Sequence, residues 1–539
     1  MTTNSRSGKN VILLHLESIS RANLWQFRNE LGTVWRLMSQ SLQFNRFFSS
    51  ATSTTMAVTD LYYGDSSGSD LCPLYQISRV MPPNSEKFAH LGVIVQSRDY
   101  DWYTFHADPY RKKESAIQNR HVFINDFDVP SLCEKALRQM AEAKRDGRRF
   151  FAYFWDDSPH LAFPSPVKDR AGGVAGRLRT AYALADASLN RLLAGLAELG
   201  LWDDTIIVGF GDHGDEPWSH GLNRGYCHSL APYASLTWAP MFIFDPGRFQ
   251  PGIDSRLASM VDLKPTLLGL LFPDDPPAAP ATLFAGLDLF RSQREFAFSQ
   301  NMFALQREYS DPEQGMVKGY AVTDGAYRLV VSSGGRDPDH GGMEFYCDQA
   351  DPANSLNLLK FFKLDRHGEI SRFHPPPDAV AKYFPCVFGS SQVESLRASF
   401  RKLKSALREF VKDKEAAAMA EYDAVTASAP EDLLEEVMGK WLESYRAEVE
   451  NTRSTESGSG HIDSMRAFLR RPKPDPVKQP GLAEKYAAKS GENLLLLWER
   501  DPRAKAFLAA NPEIWASCAA LAAGSFSPLY STVLSNREA

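Results

Sequence analysis

The sequence predicts an α/β protein built on a mostly parallel sheet, joined to a small antiparallel sheet and a helical C-terminal extension. Three observations predict it. Short continuous apolar runs stand at Asn10–Leu16, Phe150–Trp155 and Thr205–Phe210, bounded by turn or polar residues. Such runs suit strands covered on both faces, where alternation with polar residues is lost. Between the second and third runs, residues 177–199 carry apolar side chains at helical spacing, with Gly200 as a stop. Further on, the residues from Met316 to Leu359 break into short strand-like pieces joined by Gly-rich turns such as 332–335.

Taken in order, the first strand ends at Glu17, the second at Asp156 and Asp157, and the third at Gly211, Asp212 and His213. This strand–helix–strand rhythm argues for an open sheet, whose reactive crevice lies outside the carboxyl ends of its strands. Beyond Pro375 the periodicity turns helical, over Val393–Ala420 and Glu431–Glu450. A Ser/Gly-rich stretch, 451–460, reads as a linker, and the Pro-rich 471–480 as a second break. The expected organisation is a catalytic α/β domain over 1–310 and an antiparallel subdomain over 311–374. A helical extension over 375–450, a linker over 451–462 and a C-terminal helical region over 463–539 follow.

Composition narrows the class. Of 539 residues, 43% are hydrophobic and 23% charged, which describes a packed globular chain. Sixty basic against sixty-six acidic residues leave a net charge of −6, too balanced for a nucleic-acid partner held by bulk attraction. The cysteines at 72, 133, 227, 347, 386 and 518 form no CxxC pair, so no zinc ribbon or disulfide framework is indicated. No secretory leader and no apolar run long enough to cross a bilayer is visible, so the expected location is the cytoplasm.

The chemistry-bearing residues gain meaning from their order. Glu17-Ser18 after the first strand is followed by 44–64, which ends Thr54-Thr55-Met-Ala-Val-Thr-Asp-Leu61-Tyr-Tyr-Gly64. Then come Asp156-Asp157-Ser-Pro-His160, Gly211-Asp212-His213-Gly214-Asp215, His220-Gly221, Val261-Asp262-Leu-Lys-Pro265 and finally Phe345-Tyr346-Cys-Asp348, Asp351-Pro352 and Asn357-Leu358. The ordered set, over roughly residues 10 to 360, resembles the sulfatase-like branch of the alkaline phosphatase superfamily. The implied fold is an alkaline-phosphatase-like α/β/α sandwich.

Within that branch, Glu-Ser after the first strand together with a threonine nucleophile looks like the lipoteichoic acid synthase, phosphoglycerol and phosphoethanolamine transferase group. In formylglycine sulfatases the nucleophile lies ten residues before the glycine of an LxTG ending; the same count back from Gly64 gives Thr54, with Thr55 as runner-up. The Cys/Ser-x-Pro-x-Arg signature is absent, which disfavours a formylglycine enzyme. The resemblance implies Glu17, Thr54, Asp212 and His213 as ligands of Mn²⁺ or Zn²⁺, with a second ion as an alternative. It implies His160 and His220 as catalytic, and His106, Arg120 and Thr55 on the substrate side. The physical logic agrees: carboxylate and imidazole hold a divalent cation, and a threonine hydroxyl is nearly inert without one.

The expected activity is a metal-dependent phosphotransferase or a phosphodiester or phosphonate hydrolase. It acts on an anionic phosphate ester, glycan- or nucleotide-linked, through a covalent phosphoryl-threonine. A sulfatase without formylglycine and an idle scaffold binding a partner through its helical tail are the alternatives. The C-terminal helices suit packing, homo-oligomerisation or a protein partner. Several neighbours receive structural readings: His15 as a buried strand residue, Asp186 as a helix position, Asp262 as a helix start, and Asp156 and Asp157 as shapers of the loop before His160. Cys227 and His228 are read as a loop near the site.

Overall fold

The computed structural model describes residues 8–66, 89–107, 121–126, 128–157, 159–160, 173–217, 226–227, 232–275, 282–301, 319–332, 343–351, 354, 356–365, 367–374 and 390–428. The linker at 451–462, the region 463–539 and the helical stretch 431–450 lie outside the described residues.

The strands are β1 (Asn10–Leu16), β2 (Leu42–Phe48), β3 (Tyr100–His106), β4 (His121–Asn125), β5 (Arg149–Trp155), β6 (Thr205–Gly211), β7 (Glu216–Pro217), β8 (Tyr226–Cys227), β9 (Met241–Phe244) and β10 (Gly252–Ser259). Eight of them form one sheet in the order β10-β2-β9-β6-β1-β5-β3-β4. Only β9 runs against its neighbours; the other pairs are parallel. The three runs singled out in the sequence are the three adjacent central strands, β6-β1-β5.

Period-two alternation on β1 divides the core between two layers of helices. Ile12, Leu14 and Leu16 pack with the helices Gly32–Ser39, Val129–Arg145 and Gly173–Glu198. Val11 and Leu13 pack with Thr54–Tyr63, Leu91–Ser97 and Leu263–Leu271. Both faces are covered, which is why the central strands read as unbroken apolar runs. Asp186, expected to be structural, accepts from Thr33 N and Val34 N at 2.9 and 3.0 Å and so caps the helix 32–39 from a neighbouring helix. Asp262 accepts from Ser259 N at 2.7 Å and Leu287 N at 2.8 Å and pairs with Arg294, which pins the start of the helix Leu263–Leu271.

A second, antiparallel sheet follows: β11 (Ala297–Gln300), β12 (Gly319–Thr323), β13 (Tyr327–Ser332) and β14 (Met343–Cys347), in chain order. Its first strand lies upstream of residue 311. That strand is only four residues long, too short to stand out as an alternating pattern. A short hairpin, β15 (Phe362–Leu364) with β16 (Ile370–Phe373), precedes the helix Ser390–Ser428. Leu396, Phe400, Leu403, Leu407, Phe410 and Val411 of that helix recur on one face and are buried against Phe298, Val322, Leu329 and Phe345 of the small sheet. The Phe410 and Phe298 rings stack at 4.1 Å. The first part of the C-terminal extension therefore completes the small sheet's core.

The Phe-Tyr-Cys-Asp…Asp-Pro…Asn-Leu signature is structural. Asp348 pairs with Arg328 at 3.1 Å and also accepts from Thr323 Oγ1 and Asn354 Nδ2, each at 2.9 Å. Asp351 accepts from Leu356 N at 2.6 Å, and Asn357 Oδ1 accepts from Phe345 N at 3.0 Å. These bonds tie the turn after β14 to the sheet and replace backbone partners the turn lacks.

Candidate active site

The site sits at the carboxyl ends of β1, β5 and β6. Directly after β1, Ser18 takes a left-handed backbone at φ 55°, unusual for a residue with a side chain. That turn aims Ser18 N–H at Asp212 Oδ1 (3.0 Å) and lets Ser18 Oγ donate to Glu17 Oε1 (2.8 Å). The chain then enters the helix Arg21–Gln26 through a capping box made by Ser20 and Asn23. Asn23 also brackets the loop after β6, accepting from Asp215 N at 3.2 Å and donating to Asp215 O at 3.4 Å. Gly211 permits the approach, since a Cβ there would lie 2.1 Å from Ile19 O.

Thr54 is the first residue of the helix Thr54–Tyr63, following an extended Ser53. Its Oγ1 lies 3.0 Å from His213 Nε2 and 3.4 Å from Glu17 Oε1. His213 Nε2 lies 3.2 Å from Asp212 Oδ2. Four polar atoms from three separate segments thus converge beside the positive end of a ten-residue helix, a favourable place for an anion. Thr55, half-buried, has turned one position along the same helix.

The electrostatics of this cluster are unbalanced. Glu17, Asp212 and Asp157 are all buried. Burial, and then repulsion from Asp212 and Asp157, holds the Glu17 carboxyl well above its ordinary range. Burial also pushes Asp212 up, but electrostatic attraction to the neighbouring His213 and His15 and hydrogen bonding outweigh it and hold Asp212 below the usual carboxylate range. Asp212 Oδ2 and His15 Nε2 are buried without a hydrogen-bond partner among the described residues. Carboxylates and imidazoles gathered in this way fit a divalent cation: they are hard oxygen and borderline nitrogen donors, and Asp212 Oδ2 among them is buried without a hydrogen bond among the described residues. Glu17, Asp212, His213 and Thr54 would hold it, as the sequence resemblance implies. His15, Glu17 and Asp212 also form a group whose ligand atoms lie within 4.8 Å of one another.

The other predicted residues fall at different distances from this centre. His160 is buried, and its N–H bonds to Asp157 O at 3.0 Å, so Asp157 both shapes that loop and adds charge beside Glu17. His106 ends β3 and lies edge-on to Trp155 at 5.0 Å, one side chain removed from Glu17. Arg120, His220 and His228 lie outside the described residues. The structure adds Trp155, whose Nε1 donates to Glu17 Oε2 at 2.7 Å; His15 is buried in its strand, as read from the sequence, with its Nε2 3.3 Å from Asp212 Oδ1. His15 stands two residues before Glu17, so it shares that side of the strand.

Residues 9–272 match the Sulfatase family model. Human arylsulfatase A is 31% identical over 141 residues, covering 24% of this chain and 27% of that protein. Bovine arylsulfatase A is 32% identical over 275 residues, covering 48% of this chain and 51% of that protein. The match thus spans from about a quarter to about half of those relatives. The solved structure of yidJ from Bacteroides fragilis shares the fold at 14% identity and a TM-score of 0.50, over 76% of this chain and 97% of that one. Residues 9–272, carrying Glu17, Thr54, Asp212 and His213 at their strand and helix ends, are thus a sulfatase-like domain.

Proposed function

We propose that this sulfatase-like enzyme is a metal-dependent phosphotransferase or phosphodiester or phosphonate hydrolase that works through Thr54. The observation that carries the reading is the convergence of Thr54 Oγ1 on His213 Nε2 and Glu17 Oε1 at a helix N-terminus. A divalent cation bound there, Mn²⁺ or Zn²⁺, would neutralise phosphoryl oxygens and favour the threonine alkoxide. His213 Nδ1 faces its neighbour's carbonyl, Gly214 O, at 3.1 Å and therefore carries the hydrogen, leaving the Nε2 lone pair toward Thr54.

In the first half-reaction the Thr54 hydroxyl gives up its proton to solvent as its oxygen bonds to phosphorus. The ester P–O bond breaks, and the departing oxygen takes a proton from an imidazole, with His160 and His220 assigned to that duty. In the second, water or an acceptor hydroxyl attacks the phosphothreonine and returns a proton to the imidazole, the Thr54 O–P bond breaks, and Thr54 regains its proton from solvent. His106, Arg120 and Thr55 are assigned to the substrate side, and the substrate class is a glycan- or nucleotide-linked phosphate ester. Among the described residues no helix is long and apolar enough to cross a membrane.

Hydrolysis of a sulfate ester is the second reading, favoured by the arylsulfatase names of the curated relatives. A threonine in place of the cysteine or serine that formylglycine requires weighs against it. Turnover of bis(p-nitrophenyl) phosphate and p-nitrophenyl sulfate with Mn²⁺ or Zn²⁺ separates the two. The phosphoryl reading expects the diester to be preferred and a quenched reaction to carry a phosphoryl group on the Thr54 peptide. A preference for the sulfate ester, or an adduct on neither Thr54 nor Thr55, would overturn it.

A further inference from the structure

Glu17 and Asp212 each present two different sides. Glu17 Oε1 and Asp212 Oδ2 face Thr54 and His213. Glu17 Oε2 and Asp212 Oδ1 face the other way, where both meet His15 Nε2, at 3.5 and 3.3 Å. On that rear side the oxygens already accept from protein N–H groups: Oε2 from Trp155 Nε1 at 2.7 Å and Oδ1 from Ser18 N at 3.0 Å.

We propose that His15 is a positioning residue which holds the two carboxylates from behind, so that their remaining oxygens are presented to the cation. This rests on the metal-site reading above. Nε2 faces only acceptors and so carries a hydrogen; Tyr153 OH, 2.6 Å from Nδ1, then donates to it and fixes the tautomer. The ring itself is clamped. It stacks between Trp155 (5.1 Å, 15°) and Phe210 (5.3 Å, 15°), the residues paired with it on β5 and β6. A single imidazole on the middle strand thus links Glu17 of its own strand end to Asp212 of the next. Long contacts of 3.3 and 3.5 Å mark it as a donor shared between two carboxylates and not as a tight bond to either. Partners of this kind govern metal affinity by setting ligand direction.

The test is Mn²⁺ binding to the full-length protein by calorimetry, together with the Mn²⁺ EPR spectrum. His15→Phe keeps the aromatic stack and removes the donor; affinity should fall about 10- to 100-fold with an altered spectrum, while the metal-free melting temperature stays near native. His15→Gln, which restores an N–H donor, should recover part of the affinity, and Tyr153→Phe should lose a few-fold. Native affinity and spectrum in His15→Phe would overturn the proposal. Should His15→Phe fail to fold, native affinity in both His15→Gln and Tyr153→Phe would overturn it instead. Glu17→Gln and Asp212→Asn separate the two levels: if they lose Mn²⁺ and the His15 variants do not, only the positioning role falls. If neither loses it, the metal site itself falls and the proposal with it.

Discussion

Two buried charged clusters, one in each sheet, behave in opposite ways. Beside the small sheet, Asp348 meets the Arg328 guanidinium, Thr323 and Asn354, and Arg328 reaches on to Pro232 O and Thr237 Oγ1 at 3.3 and 3.1 Å. The two charges cancel, and the Arg328 guanidinium lies over the Phe48 ring at 4.9 Å, fastening the small sheet to the end of β2. At the strand ends of the large sheet, Glu17 is crowded by two further carboxylates, Asp212 and Asp157, with the imidazoles of His213 and His15 beside Asp212. A closed ion pair is what a fold needs to bury a charge; crowded carboxylates that raise one another's pKa fit a site for a cation.

The largest expected effect distinguishes reaction from framework. Thr54→Ala should lower kcat on a phosphodiester by a factor on the order of 10⁴ or more, with Thr55→Ala within several-fold of native. Equal losses in the two variants would remove Thr54 from its role. Next, Arg328→Met should cost about 3–5 kcal/mol in urea unfolding by stranding Asp348, yet leave Mn²⁺ affinity unchanged. Glu17→Gln should do the reverse. Its raised pKa means that ionised Glu17 costs stability above the unfolded carboxyl's pKa, so at pH 7 the metal-free variant should melt no lower than native while losing the Mn²⁺-dependent rise. A clear loss of metal-free stability would show that the cluster is structural, like its counterpart.

Two smaller effects concern how the Thr54 helix is anchored. His90, whose Nδ1 accepts from Gly92 N at 2.9 Å, lies against Tyr62 at 4.4 Å between ring centroids. Burial, then Lys264 and His121, push its pKa down to about 3. The native state resists a proton that the unfolded chain takes up below about 6.5, so stability is whole above that pH and falls as pH drops toward 3, by about 1.4 kcal/mol per unit at most. His90→Asn keeps an acceptor for the helix start and should flatten that slope in pH-dependent denaturation. Lys264 donates to Tyr63 O at 2.7 Å at the same, C-terminal end of the Thr54 helix, and burial lowers its pKa to about 8. Here the native state releases its proton first, so stability should rise from pH 8 toward 10.5, over a narrower window, and Lys264→Met should abolish that rise.

Much of the site was legible because polar residues at strand ends follow apolar runs, and because the count from Gly64 back to Thr54 is a local property of one helix. The Gly64 turn, left-handed at φ 63°, closes that helix and makes the count meaningful. The contacts that His15 and Trp155 make there were not legible. Each is an ordinary residue in its own strand, and each acquires its role only from a neighbour distant in sequence.

The sequence by itself determined the alternating chain, the order of Glu17, Thr54, Asp212 and His213, and the absence of the formylglycine signature. These are one-dimensional facts that hydrophobic periodicity and spacing carry directly. Tertiary structure alone decided which oxygen of each carboxylate faces the hydroxyl and which faces His15, and that Trp155 serves Glu17 from 138 residues away. The physical reason is strand register. Parallel pairing of β5, β1 and β6 sets Trp155, His15 and Phe210 side by side, and no local pattern in any one strand records which residue its neighbour will bring alongside.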